Sequence, residues 1–208
     1  MNIIGFDFSI NKPAACVYHN NNYHFYGWPY SPQKKLPQLY KDVNVHIIDR
    51  IDDKEKGDNV SSKMRYEVKN ARYIAELIYD SLELFLTKDT YIAFEGLSYG
   101  SSGDVVLQLG GYKYMIMDVL SQAVPLENMF TYAPTTVKKT AGCSKRGLGK
   151  HAMIEAFTAS QCEHGLRDIL RTDKESFMKK GFKNYVDHLD DLVDSYWVLQ
   201  TLLDKELT

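Results

Sequence analysis

The stretch Ile3-Ile4-Gly5-Phe6-Asp7-Phe8-Ser9 sets a carboxylate inside a run otherwise suited to a buried strand. Asp is disfavoured in strands and is almost never buried without a partner. The pattern recurs at Tyr91-Ile92-Ala93-Phe94-Glu95, a second apolar run that ends on an acid. Taken singly, each acid reads as a turn or cap residue at a strand end. A third acidic segment changes that reading.

Near the C-terminus, Asp187, Asp190, Asp191 and Asp194 fall within roughly one third of a helical circumference, while Leu189, Leu192, Val193, Tyr196, Leu199 and Leu203 take the opposite side. A solvated acidic face is the ordinary explanation. Here the acidic stripe stops, because Val198 and Leu202 continue on the same side and Trp197 lies close by. A helix that is apolar nearly all round is buried, so these acids sit where a buried helix meets something polar. Packing like charges there is costly unless a cation is bound. Oxygen donors with no histidine or cysteine set point to Mg²⁺, with Mn²⁺ able to substitute. Two such ions suit phosphodiester cleavage, one activating a water and the other stabilising the leaving oxygen. Asp191 with Asp194 is the preferred pair, since the apolar run Tyr196 to Leu199 follows the second ligand. Asp190 with Asp194, or Asp187 with Asp190, remain alternatives. His188, close to this group, reads as a group that supports the ligands from behind, as a proton carrier, or as a surface residue.

Working outward, Ile3 to Phe8, Ala14 to Tyr18 and Tyr23 to Trp28 predict two or three antiparallel strands about the turn Asn20-Asn21-Asn22. Prolines 29, 32 and 37 interrupt the pattern before a possible strand at Val45 to Ile48, and Asp49 to Ser62 reads as a charged loop. Ala71, Ile74, Ala75, Ile78, Leu82 and Phe85 recur at helical spacing within Lys63 to Leu86. Then follow a Gly/Ser loop at Gly96 to Gly103, a helix at Val105 to Ala123 and a strand at Met129 to Tyr132 ended by Ala133-Pro134. Gly110 and Gly111 in that helix would allow close helix approach. A basic Gly-rich loop occupies Gly142 to Gly149, a helix starts at His151, residues 160 to 185 resist assignment, and Val186 to Leu203 is the last helix. Strands alternating with helices after an initial meander predict an α/β fold, a mixed sheet covered by helices. A length of 208 residues suits one domain able to bury a full core.

No apolar run approaches the ~18–20 residues of a membrane span. The N-terminus lacks the basic start and long apolar run of a signal peptide. Cys16, Cys143 and Cys162 are odd in number and form no CxxC pair, which argues against a disulfide framework or zinc knuckle. Cys162-x-His164 is at most half a metal site, and a free thiol near a surface helix is the simpler reading. A reducing, cytoplasmic setting is expected, which for a viral protein means the host cytoplasm or a viral factory. The net charge of −2 does not mark a nucleic-acid binder, but its distribution is informative. Between Glu127 and Glu155 there is no acid, and the window holds Lys138, Lys139, Lys145, Arg146 and Lys150. Glycines 142, 147 and 149 among these lysines would let the backbone approach phosphates closely. Contacts of that kind position DNA without reading bases. Tyr99 and Tyr112 are the tyrosines to test for DNA stacking.

These segments resemble the RuvC-like Holliday-junction resolvases of the RNase H-like superfamily. Ile4-Gly5-Phe6-Asp7-Phe8-Ser9 is similar to the family's first acidic strand, and Phe94-Glu95 to its second acidic motif. Tyr132-Ala133-Pro134-Thr135-Thr136-Val137-Lys138-Lys139 is similar to its Tyr-Ala-Pro-x-x-Val-Lys segment. Asp191-Leu192-Val193-Asp194-Ser195 resembles its closing Asp-x-x-Asp-Ala pattern, and Leu189 to Ser195 is closer still to viral resolvases. The four motifs stand in family order and span almost the whole chain. The resemblance implies a mixed five-stranded sheet in a single RNase H-like domain, a homodimer served by the Leu107 to Met117 helix, and paired symmetric nicks in branched DNA. It implies Asp7, Glu95, Asp191 and Asp194 as ligands of two Mg²⁺ ions, and Lys150 or Lys138 near the scissile phosphate. The family's aromatic wedge, three residues past the second acid, falls on Ser98, with Tyr99 beside it. An RNase H- or transposase-like nuclease of the same fold is the alternative. An actin-like ATPase would need a second half that this chain is too short to hold. A nuclease-dead DNA-binding module fits poorly with four acids present.

Overall fold

A computed structural model of the chain describes residues 1–30, 42–46, 48, 57–97, 103–145, 148, 150–173 and 188–207. β1 (Asn2–Asp7), β2 (Ala14–His19) and β3 (Asn22–Gly27) form the expected antiparallel meander. Asn20 and Asn21 carry its second turn at φ 48° and 64°, the left-handed conformation that a two-residue hairpin requires and Asn tolerates. β4 (Val43–Val45) runs parallel to β3, β5 (Thr90–Glu95) parallel to β1, and β6 (Met129–Tyr132) parallel to β5.

The order β4-β3-β2-β1-β5-β6 makes a mixed sheet of six strands, where five were expected. The extra strand is β4, three residues at the open edge of β3, starting two residues before the predicted run. Past Val45 the pairing continues irregularly, with His46 N donating to Gly27 O at 2.9 Å and Ile48 N to Pro29 O at 3.0 Å. Pairing to an open edge satisfies backbone groups, and so short a strand leaves almost no side-chain period to read.

Each face of the sheet buries its own core. α1 (Val60–Leu82) begins where Asn59 Oδ1 accepts from Ser62 N at 2.8 Å, inside the segment read as a loop. Its buried stripe, including Ile74 and Ile78, packs with α2 (Gly103–Leu120) over Ile4, Phe6, Ile92 and Phe94. On the other face lie α3 (Pro134–Thr140), α4 (Lys150–Ala159), α5 (Gly165–Asp173) and α6 (Leu189–Glu206), against Ile3, Phe25 and Ala93.

Two of these helices were not foreseen. Pro134 reads as the end of a strand, but it sits in the first turn of α3, where a proline's missing N–H and fixed φ help to start a helix. In α5, Leu166 and Leu170 are the buried residues, too brief a period to stand out in sequence. His164 Nδ1 accepts from Leu166 N at 3.0 Å, and its ring packs on Phe25, so its place is structural. All three cysteines are free and buried, Cys162 included, which corrects its placement near a surface. Among the described residues Gly110 and Gly111 make no tight contact: a Cβ on Gly110 would meet Leu97 Cδ1 at an ordinary 3.6 Å, and one on Gly111 nothing within 4 Å. No helix among the described residues is long and apolar enough to cross a membrane.

Candidate active site

Side chains alternate across a strand. Ile3 and Ala93 pack towards α6, while Ile4, Phe6, Ile92 and Phe94 pack towards α1 and α2. The same period turns Asp7 and Glu95 to the α6 face. β1 and β5 are parallel with Phe6 opposite Phe94, so Asp7 and Glu95 come next, side by side at the C-terminal ends of neighbouring strands. Both line one cavity of about 160 Å³, with Phe8, Leu109 and Lys113.

α6 brings the other acids, and Gly5 sets its approach. A Cβ on Gly5 would lie 2.4 Å from both Ser195 O and Leu199 N, so only glycine lets the helix backbone touch β1 here. The contact falls two residues before Asp7 and one residue after Asp194. Asp191 is buried at 5% exposure, and its Oδ2 lies 3.3 Å from Lys12 Nζ in the β1–β2 loop. Asp194 is half-buried. Burial first, and then the Asp194 charge, push the Cys143 thiol pKa up, while Lys138 pulls it down; Asp194 and Lys138 thus both act on one point at the end of α3. Asp190 is half-buried, with His188 in electrostatic reach. Asp187 lies outside the described residues.

The structure therefore brings Asp7 and Glu95 together and sets Asp191 and Asp194 on the helix that crosses β1. Among the described residues, no three acid, imidazole or thiol groups close into a metal cage. The donor chemistry still fits a hard divalent cation: oxygen donors throughout, and one buried carboxylate already holding a positive charge in Lys12.

His188 is neither on the surface nor placed as a proton carrier. It precedes α6 at φ 77°, is 1% exposed, and fills the space above Gly27, where a Cβ would lie 2.2 Å from its Cε1. Its Nε2 lies 3.4 Å from Pro13 O. Burial lowers its pKa to about 4, so the ring is neutral at ordinary pH and acts as a wedge between α6 and the β1–β2 loop.

Tyr112 is also withdrawn as a stacking residue: it is buried, and its hydroxyl donates to Glu67 Oε2 at 2.7 Å. Lys138 and Lys139, in the last turn of α3, and Lys145 beyond it are exposed. Tyr99, Arg146 and the Lys150 side chain lie outside the described residues.

Two cations at the site were not singled out from sequence. Lys12, in a short loop, offers no signal. Lys113 does: it is a lone charge in Leu109 to Met117, within a helix packed on the sheet. Its ammonium is buried and donates to Glu95 O at 3.1 Å and Thr131 Oγ1 at 3.2 Å. Burial pushes its pKa down to about 8, against the opposing pull of Glu95.

The mixed sheet, with an antiparallel meander at one end, parallel strands at the other and acids at the strand ends beside a buried helix, is a fold shared with solved structures. Among solved structures the chain is similar to Thermus thermophilus RuvC in complex with a Holliday junction substrate, at TM-score 0.52 and 15% identity, covering 97% of this chain and 91% of that one. A second Thermus thermophilus RuvC structure aligns at TM-score 0.51 and 15% identity, over 97% and 92% of the two chains. Fowlpox virus resolvase bound to a substrate Holliday junction DNA aligns over 100% of both chains at 13% identity and TM-score 0.45. No family model and no curated protein sequence matches the chain.

Proposed function

We propose that this protein is a divalent-metal-dependent DNA endonuclease that cuts Holliday junctions and other branched DNA. The observation that carries the reading is the pairing of Asp7 and Glu95 at the ends of adjacent parallel strands, facing the helix that holds Asp191 and Asp194. These four acids would hold two Mg²⁺ ions, with Mn²⁺ as a substitute. When bound, such ions supply Lewis-acid activation of a water and charge stabilisation of the leaving oxygen. The chain's own residues orient and insulate this site. Gly5 admits α6, and the buried faces of β1 and β5 hold the carboxylates on one edge. The exposed Lys138, Lys139 and Lys145, with Arg146 and Lys150 nearby in sequence, would bind the DNA backbone.

A homodimer suits symmetric cutting, and one surface supports it. The groove between α1 and α2, about 730 Å³, is apolar and lined by exposed Met64, Val68 and Leu107. Exposed apolar side chains gathered along one groove suit a contact with a second copy of the chain.

The test is a cleavage panel in Mg²⁺ with mapped nicks, using four-way junctions, forks, duplex DNA and RNA–DNA hybrids. Paired symmetric nicks in the junction are expected. Asp7→Asn and Asp194→Asn should lose cleavage and keep junction binding. Cutting of hybrids alone would replace this reading with an RNase H-like one, and retained cleavage in either variant would remove the site assignment.

A further inference from the structure

Lys113 is a charge placed where a helix–sheet interface would ordinarily be apolar. Its neighbours on the buried side of α2, Tyr112, Ile116, Val119 and Leu120, all pack in the core. Burying an ammonium is costly unless its donors are used. Two of them reach the last residues of the sheet's parallel edge, Glu95 O and Thr131 Oγ1, and the ammonium lies 5.5 Å from the Phe94 ring centroid. Every one of these contacts is to the end of β5 or the strand beside it.

The backbone explains why such a contact is needed. β1 pairs with β5 only as far as Phe6 opposite Phe94, so the Glu95 carbonyl lies past the last β1–β5 pair. Towards β6 the ladder continues, with Glu95 opposite Tyr132 and Gly96 N donating to Tyr132 O at 2.7 Å. One side of the strand end is therefore tied by β6, and on the other face Lys113 takes the Glu95 carbonyl. Holding that peptide plane fixes the direction of the Glu95 Cα–Cβ bond, and so the side on which its carboxylate stands.

We propose that Lys113 is the positioning residue for Glu95: from the face opposite α6 it clamps the end of β5 to β6, keeping the Glu95 carboxylate beside Asp7 in the geometry that receives a divalent cation. This rests on the reading of Asp7 and Glu95 as metal ligands. Lys113 lines the same cavity as Asp7 and Glu95, and its hydrogen bond goes to the Glu95 backbone carbonyl. It acts through the backbone of the ligand, and its charge beneath the sheet end helps to balance the acids before a cation arrives.

A purely structural lysine and a positioning lysine predict different results for Lys113→Met. Met keeps the length and packing and removes both donors, so a packing role is preserved while the clamp is lost. The experiment measures Mn²⁺ binding to the whole protein without DNA, by calorimetry, for wild type, K113M, K113R, T131V and E95Q. It also measures the Mg²⁺ midpoint of junction cleavage, and junction affinity in Ca²⁺. K113M is expected to weaken Mn²⁺ binding by about tenfold or more, as loss of the groups that orient a metal ligand typically does. Its Mg²⁺ midpoint should rise by a similar factor while its junction affinity stays within about twofold. K113R, whose guanidinium can reach both acceptors, should recover most of the affinity. Wild-type Mn²⁺ binding by K113M, alongside weakened binding by E95Q, would overturn the role of Lys113 alone. Wild-type binding by E95Q would overturn the ligand reading and the inference with it. Should K113M fail to fold, T131V decides. It alters an exposed residue and removes one acceptor, and Mn²⁺ affinity unchanged from wild type would overturn the clamp.

Discussion

Replacing Gly5 with Ala tests how α6 delivers its acids. The new Cβ would lie 2.4 Å from Ser195 O and Leu199 N and 2.8 Å from Leu199 Cα, where ordinary contact begins at 3.4 Å. All three atoms are backbone of a buried helix, so no rotamer change relieves the contact. Close-packed interiors transmit such strain, so α6 and β1 must separate by about 1 Å at that point. Overpacking of this kind costs about 1–3 kcal/mol, and a chain of this size loses roughly 2–4 °C in Tm per kcal/mol. Asp194 immediately precedes Ser195, so the separation carries its carboxylate out of place relative to Asp7. A misplacement of about 1 Å in a reacting constellation costs on the order of 10²-fold in rate. The assay is single-turnover cleavage of a synthetic four-way junction at saturating Mg²⁺, well below the Tm of both proteins, with melting curves in parallel. G5A should melt lower and cut far more slowly than its loss of stability explains. Gly27→Ala is the control, since its Cβ would meet the His188 ring, a side chain, at 2.2 Å; it should lower Tm with a smaller loss of rate. A G5A protein that melts and cuts like wild type would refute the argument that this glycine sets the position of the acids.

Other outcomes follow from the same geometry. His188 has its pKa lowered by burial from 6.5 to about 4, so above pH 6.5 both folded and unfolded forms are neutral and it adds no pH dependence. As pH falls from 6.5 towards 4 the unfolded chain takes up the proton first, and stability is lost at up to about 1.4 kcal/mol per pH unit. H188N, which cannot titrate and tolerates a positive φ, should flatten that slope in urea unfolding; parallel pH curves would contradict it. Lys12 is 33% exposed, which screens its bridge to Asp191, so K12M should cost about 1 kcal/mol in EDTA and regain it in Mg²⁺; equal melting of the two proteins in EDTA would count against the pair. Leu107 is 76% exposed on the α1–α2 groove, and on the proposed homodimer L107K should sediment as a monomer where wild type sediments as a dimer, with an unchanged circular dichroism spectrum; a monomeric wild type would refute the proposed interface.

The architecture was legible wherever a period ran long enough to be read. The stripe of α1, the three strands of the meander and the parallel strands β5 and β6 all follow from side-chain spacing. The edge strand β4 was legible only as a possible strand displaced by two residues, because three residues leave a strand almost no period and its place depends on the open edge of β3. α3 was hidden for a different reason. Pro134 both ends a strand and opens a helix, and only the chain's direction after Ala133 separates the two. His188 misled because a histidine among acids suggests solvent or chemistry. Its burial depends on Gly27, 161 positions earlier, leaving room for the ring.

The candidate site was legible through contradiction. Asp7 and Glu95 stand out as charges in strands that should be apolar, and Asp191 as a charge on a helix that is buried nearly all round. A residue that opposes its own element must be offset by something the element does not contain, and at a strand end beside a buried helix a bound cation is such a thing. Lys113 obeys the same rule. A lone lysine between Tyr112 and Tyr114 in an apolar helix is as anomalous as Asp7 in β1, but an ammonium ligates no cation, so the chemistry of metal ligands does not point to it. Lys12 is different, being a surface-type residue in a loop with nothing local to contradict, and only the fold brings it to Asp191. The contradictions on the two sides of the sheet end are opposite in sign: acids face α6 and a lysine lies beneath them. Each makes the other less costly, which is why a change to Lys113 should be read at Glu95 and not merely in the stability of α2.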